Sequence, residues 1–103
     1  MSAMPTQLRK VVRWLRRKFP TRREVVVRVA KTQPGLHGIC LLDEERALIR
    51  ITSADPQMMA ETLLEEWAHV LREDCPVTTI QGDEHDALFW AILARVTHEY
   101  RSE

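Results

Sequence analysis

The stretch Arg46–Arg72, RALIRITSADPQMMAETLLEEWAHVLR, holds both types of secondary structure that build the fold. Its first segment, Arg46–Thr52, is mostly apolar with an internal arginine, which predicts a β-strand with one solvated face. Ser53–Pro56 is a helix-start signal, because proline fits the first turn of a helix. The residues that follow predict a helix from about Pro56 to Arg72. The stretch therefore predicts a strand followed by a helix.

An amphipathic helix is predicted before this stretch, near the start of the chain. Its apolar residues recur at spacings of three and four, namely Leu8, Val11, Val12, Leu15 and Phe19. We expect Thr6 to be the N-cap, and Pro20 to end the helix because the residue before a proline disfavours helical backbone. The rest of the helix surface is basic.

Two further β-strands are predicted between this helix and Arg46–Thr52. Glu24–Ala30 is rich in valine, as buried strands often are. Leu36–Leu42 is separated from Arg46–Thr52 by the polar residues 43–45, which indicates a hairpin. Three strands form a small stable sheet when a helix covers one face.

A final helix is predicted from Glu84 to about Tyr100, after a loop over residues 75–82. Asp83 is the expected N-cap, since aspartate caps helices well. The element order is then α-β-β-β-α-α. A chain of 103 residues buries one core. The sequence therefore predicts a single α+β domain over residues 1–103.

Composition limits the class of protein. Hydrophobic residues make up 45% and charged residues 29%, which is typical of a globular domain and excludes a disordered chain. No apolar run approaches the roughly 20 residues that span a bilayer, so no membrane partner is expected. The N-terminus lacks the apolar stretch of a signal peptide. Cys40 and Cys75 are too few for a disulfide framework, which favours the reducing cytoplasm.

The charges are unevenly distributed, although the formal net charge is zero. Residues 1–52 carry 12 Lys or Arg and 4 Asp or Glu, whereas residues 53–103 carry 3 and 11. Either the two halves compensate each other in the fold, or the basic half contacts an anionic partner such as nucleic acid. The candidate nucleic-acid contacts all lie on the first helix: Arg9, Lys10, Arg13, Arg16 and Arg17.

The central helix contains the residues that point to chemistry. Glu65 and His69 are four apart, so both lie on one helix face and can bind one ion. Glu66 lies beside them, in the arrangement of the H-E-x-x-H zinc-protease motif. The alternative is an ordinary favourable pair of Glu and His on an exposed helix face.

The last helix offers another candidate ligand. His85 falls on the N-terminal end of its inward apolar stripe, which consists of Leu88, Phe89, Ile92, Leu93, Val96 and Tyr100. The alternative is a structural histidine at the edge of the core, with its hydrogen bonds satisfied there. We interpret His37 and His98 as structural or exposed to solvent.

Two segments resemble one family of enzymes. Thr62–His69 resembles the T-L-L-H-E-x-x-H helix of gluzincin metallopeptidases, with Glu65 in place of the first histidine. Glu84–Leu93 resembles the H-x-x-x-F-W segment of SprT-like proteins and of minimal gluzincins, the minigluzincins. This resemblance implies a minimal zincin-like fold and a zinc-dependent peptidase that acts on peptides or proteins.

The resemblance also assigns roles to individual residues. Glu65, His69 and His85 take the positions of the three zinc ligands, and Glu66 takes that of the general base. The strand Arg46–Thr52 is implied to border the cleft, where a substrate strand could pair with it. The alternative is a catalytically inactive relative that serves as a protein- or DNA-binding module.

Overall fold

The computed structural model describes residues 4–75 and 85–103, which form three helices and a three-stranded sheet. The helices are α1 (Thr6–Lys18), α2 (Pro56–Asp74) and α3 (Ala87–Arg101). The strands are β1 (Glu24–Val29), β2 (Gly38–Leu42) and β3 (Arg46–Ile51). The predicted α+β class and the order of elements are confirmed.

The sheet has the strand order β1-β3-β2, so β3 is its central strand. It pairs in parallel with β1 and antiparallel with β2. The hairpin predicted over residues 43–45 is present, and the Asp43 carboxylate accepts hydrogen bonds from the backbone N–H groups of Glu45 and Arg46. Because both sides of β3 are paired, no substrate strand can pair with it, contrary to the expectation for Arg46–Thr52. Among residues 4–75 and 85–103, no strand pairs with the other edge of β2, which lies beside α2.

The core lies between one face of the sheet and the helices. The largest fully buried side chains come from all three helices and from β3: Leu15, Ile49, Ile51, Leu63, Trp67, Phe89, Val70 and Val96. The Trp67 indole N–H donates a hydrogen bond to the Phe19 carbonyl at 2.9 Å, which ties α2 to the end of α1. None of the helices within residues 4–75 and 85–103 has the length and hydropathy that crossing a membrane requires.

The start of α1 differs from the prediction. Thr6 is already the first helical residue, and Pro5 occupies the N-cap position without a side-chain hydrogen bond. Proline is favoured near helix starts because its missing N–H would have no partner there. At the other end, Phe19 is the C-cap and Pro20 follows it, as expected.

The start of α3 also differs from the prediction. The helix begins at Ala87 rather than Glu84, because Asp86 is its N-cap and accepts a hydrogen bond from the Phe89 N–H. Asp83, the expected cap, and residues 76–82 of the expected loop lie outside the described residues. His85 consequently precedes the helix instead of lying within its first turn.

The two oppositely charged halves of the sequence are joined by ion pairs. Arg22 and Arg23, which precede β1, both pair with Asp74 at the end of α2. Lys18 pairs with Glu103 at 3.9 Å. Part of the charge asymmetry is therefore compensated inside the fold, as the first of the two interpretations predicts.

Candidate functional site

Two histidines from separate helical regions meet at one end of α2. His69 lies on α2 and His85 lies just before α3, and their Nε2 atoms are 3.1 Å apart. The Phe89 ring stacks on His69 with the ring centroids 4.3 Å apart. Trp90 contacts the other histidine, with 5.7 Å between ring centroids. The aromatic rings thus hold both imidazoles while His85 stays exposed to solvent.

A largely buried ion pair joins the two segments that carry the histidines. The Arg72 guanidinium donates hydrogen bonds from Nε and Nη2 to both Asp86 carboxylate oxygens, at 2.7–3.1 Å. The Arg72 hydrogen bonds, followed by the one from the Phe89 N–H, lower the pKa of Asp86 to about 2. The same contact raises the pKa of Arg72. Sequence reasoning missed this pair, because nothing in the spacing of Arg72 and Asp86 shows that they meet.

Glu66 lies one helical turn before His69 and is only 8% exposed. Both residues line a cleft of about 340 Å³ between α2 and the edge strand β2. Cys40 of β2 also lines it. Burial first, and then the negative charge of Glu66, raises the pKa of the Cys40 thiol to about 12. At neutral pH this thiol is therefore protonated, and the thiol is a much weaker nucleophile than the thiolate.

Gly38 allows β2 to approach α2 closely at this cleft. A Cβ atom at this position would collide with Thr62 Cγ2 and would lie 3.7 Å from Glu66 Cγ. Only the absence of a side chain lets the edge strand pass directly over the Glu66 turn of α2. This glycine was not among the residues that the sequence singled out, because its role depends on a contact between distant segments.

Glu65 lies in a different place from Glu66. It is half-buried and lines a neighbouring groove of about 690 Å³, together with Glu61 and the exposed His37. His98 is exposed on α3. Across residues 4–75 and 85–103, no group of three or more His, Cys, Asp or Glu side chains is close enough to hold a metal ion. The structure thus brings His69 and His85 together and places Glu66 in the His69 cleft, but leaves Glu65 apart.

The spacing of the two histidine nitrogens can be compared with that of two zinc ligands. Zn–N bonds of about 2.0–2.1 Å in a tetrahedral site place two ligand nitrogens about 3.3–3.4 Å apart. The 3.1 Å between the Nε2 atoms of His69 and His85 is close to that separation. At this distance the two rings are within hydrogen-bond reach of each other, and the tautomer of each ring decides which one donates.

The basic residues of α1 form a solvated surface, as far as the described residues define it. Arg9, Lys10, Arg13 and Arg17 are exposed and take part in no ion pair within residues 4–75 and 85–103. Arg16 instead donates a hydrogen bond to the Val25 carbonyl at 2.9 Å, which anchors α1 to β1. Arg16 therefore has a structural role, whereas the other four cations face solvent.

No protein-family model, curated protein sequence or solved structure matches this chain. Three features remain from which a function can be inferred. They are the His69–His85 pair, the buried Glu66 and the open edge of β2.

Proposed function

We propose that this chain is a zinc-dependent metallopeptidase-like domain that hydrolyses peptide bonds. The observation that carries the proposal is the 3.1 Å separation of the His69 and His85 Nε2 atoms, which come from two different helical regions. A histidine pair with only a structural role at the edge of the core would not need a buried carboxylate in the same cleft. Glu66 supplies that carboxylate.

His69, His85 and Glu65 are the proposed ligands. Two histidines and one glutamate form a known catalytic zinc set. Glu65 precedes His69 by four residues, so the two lie one turn apart on the same helix face. Its side chain lines the neighbouring groove. The proposal therefore includes a rotation of this flexible side chain towards His69 when the metal binds.

Glu66 is the proposed general base. When bound, zinc would supply a Lewis acid that polarises the peptide carbonyl and acidifies water. The Glu66 carboxylate would accept a proton from the attacking water and pass it to the leaving amine. Its burial excludes bulk water from this step. A bound peptide would pair with the free edge of β2 by main-chain hydrogen bonds and extend over the Glu66 cleft.

The second candidate is a non-catalytic relative that binds proteins or DNA. It is favoured by the finding that three metal donors do not converge within residues 4–75 and 85–103. The exposed cations of α1 also support it. For either function we propose the cytoplasm as the location, since Cys40 and Cys75 are both free thiols.

Titration with zinc separates the two candidates. Metal-free protein, prepared without a nickel column, is titrated with zinc in a calorimeter, and His85→Ala serves as the variant that lacks a ligand. The peptidase proposal expects about one zinc per chain and loss of the heat in the variant. Absence of heat and of any thermal shift in the parent protein would leave only the binding module.

A further inference from the structure

The outer face of the sheet, opposite the helices, carries a row of aliphatic side chains. Val25, Val27 and Ile49 point into the core, so the alternate residues of each strand point outwards. Val26 and Leu48 are directly opposite each other in the register of the strands, and Leu41 continues the row on β2. The first two are half-buried and Leu41 is 46% exposed.

Two arginines lie beside this aliphatic row. Arg28 and Arg50 are directly opposite each other on β1 and β3, and both are exposed. Like charges in this position destabilise a sheet. No acidic side chain among the described residues pairs with either of them. Carboxylates of a binding partner placed over Arg28 and Arg50 would relieve this repulsion, and its apolar side chains would cover the exposed aliphatic row.

The charges on this face indicate which kind of partner could bind to it. Glu24 and Arg46 pair with each other at 3.8 Å and Asp43 caps the hairpin turn, whereas Arg28 and Arg50 have no acidic partner among the described residues, so the end of the face that carries these two arginines is positive. A second copy of the chain that docked through the same face would bring the same positive charge against it. Proteins that bind single-stranded nucleic acid offer aromatic side chains on which bases stack, and the row Val26, Leu48, Leu41 has none. A partner with both apolar and acidic side chains fits best.

The dimensions of the face suit one helix. Three strands at about 4.8 Å spacing are about 10 Å wide, which matches the roughly 10–12 Å diameter of an α-helix with its side chains. We propose that the outer face, defined by Val26, Leu41, Leu48, Arg28 and Arg50, docks an amphipathic helix of a partner protein with acidic residues along its flank. The helix would bury the aliphatic row and pair its carboxylates with both arginines. This interface is independent of zinc binding and of peptidase activity.

A synthetic helical peptide tests the interface. The probe has about 18 residues, roughly five helical turns, with leucines along one stripe and glutamates on both flanks. A second peptide has lysine at every glutamate position. Titrated into ¹⁵N-labelled protein, the glutamate peptide should shift the amide signals of Val26, Leu41 and Leu48. The lysine peptide should bind about tenfold more weakly or not at all.

Paired variants show whether the arginines are responsible. Arg28→Glu combined with Arg50→Glu should weaken binding of the glutamate peptide at least about tenfold. Arg95→Glu combined with Arg101→Glu makes the same change of charge on α3 and should leave the affinity unchanged. Circular dichroism verifies that both double variants fold. If the Arg28 and Arg50 variant does not fold, Arg28→Gln and Arg50→Gln are tested singly.

Other results would overturn the proposal. One is an equal loss of affinity in the two double variants, and another is a set of shifted signals that lies outside the outer face. Dimerisation in the ultracentrifuge that Leu41→Ser abolishes would assign the face to a second copy. Binding to vesicles of phosphatidylcholine and phosphatidylserine that depends on Arg28 and Arg50, without binding of the peptide, would assign it to a lipid surface.

Discussion

Arg72 donates hydrogen bonds to both carboxylate oxygens of Asp86, and this pairing joins the segments that carry the two candidate zinc ligands. Arg72 follows His69 by three residues on α2, and Asp86 is the residue after His85. Arg72 is only 3% exposed. Because Asp86 also caps α3 through the Phe89 N–H, one side chain joins the end of α2, the start of α3 and the segment that carries His85.

Arg72→Lys tests this positioning role. Lysine keeps the positive charge but cannot donate two parallel hydrogen bonds to one carboxylate. We expect the affinity for zinc to fall about 10–100-fold, as it does when a group that orients a ligand is lost. Calorimetry with zinc measures the affinity. An unchanged affinity at a lowered melting temperature would show that the pair serves stability alone.

Acid should destabilise the fold through Asp86. Its pKa is lowered from 3.8 to about 2 in the folded protein, so folding favours the ionised carboxylate. The resulting stability is fully present above pH 3.8 and is lost as the pH falls towards 2. Urea unfolding in EDTA at a series of pH values measures it. Asp86→Asn should be less stable than the parent at neutral pH, and the difference should shrink as the pH falls from about 4 to about 2.

Much of the fold could be predicted from local patterns. The apolar stripe of α1, the polar turn at residues 43–45 and the helix-start signal before α2 each depend on neighbouring residues only. The position of β3 in the centre of the sheet could not be predicted, since it depends on pairing between distant segments. From the sequence, β3 was expected to border the cleft, but in the structure β2 lies there.

The candidate site was only partly predictable for a similar reason. His69 was expected on one face of α2 and lies there, whereas His85 was expected within the last helix and lies just before it. Adjacent residues on a helix point about 100° apart, so the spacing of Glu65 and Glu66 does not show which groove each one faces. That depends on where β2 crosses α2, and the crossing depends on Gly38.

Gly38→Ala tests the close contact between β2 and α2. The added methyl group would collide with Thr62 Cγ2, and we expect a loss of stability of about 1–3 kcal/mol. Thr62→Ser removes Cγ2, the methyl group with which the new Cβ would collide. The double variant should therefore be more stable than the two single losses together predict, which urea unfolding of all four proteins measures. Simple additivity would show that the contact is unimportant.

Nucleic-acid binding, if present, should depend on the solvated cations of α1. Changing Arg9, Lys10, Arg13 and Arg17 to glutamine should abolish binding to a fluorescent DNA duplex and leave the fold intact. Arg16 stays unchanged because it anchors α1 to Val25. Binding by the parent should weaken steeply with salt, with a slope of log affinity near −0.9 for each phosphate contacted. Equal affinity of parent and variant would remove α1 from this role.

The sharpest prediction separates the two adjacent glutamates. Glu65 is proposed as a ligand and Glu66 as the base, so substitutions at the two positions should affect zinc affinity and peptidase activity differently. Glu66→Gln keeps the shape of the side chain but removes the proton acceptor. We expect peptidase activity to fall about 10²-fold or more while zinc affinity is kept.

Glu65→His should raise zinc affinity or peptidase activity, because it restores the H-E-x-x-H pattern on the same helix face. A quenched peptide library with added zinc reports activity, calorimetry reports binding, and His85→Ala is the control that lacks a ligand. If Glu65→His lowers affinity and activity together, glutamate is itself the adapted ligand of this site. If the parent and all three variants are equally silent in both measurements, the His69–His85 pair is not a metal centre, and the cleft beside β2 is then a binding surface.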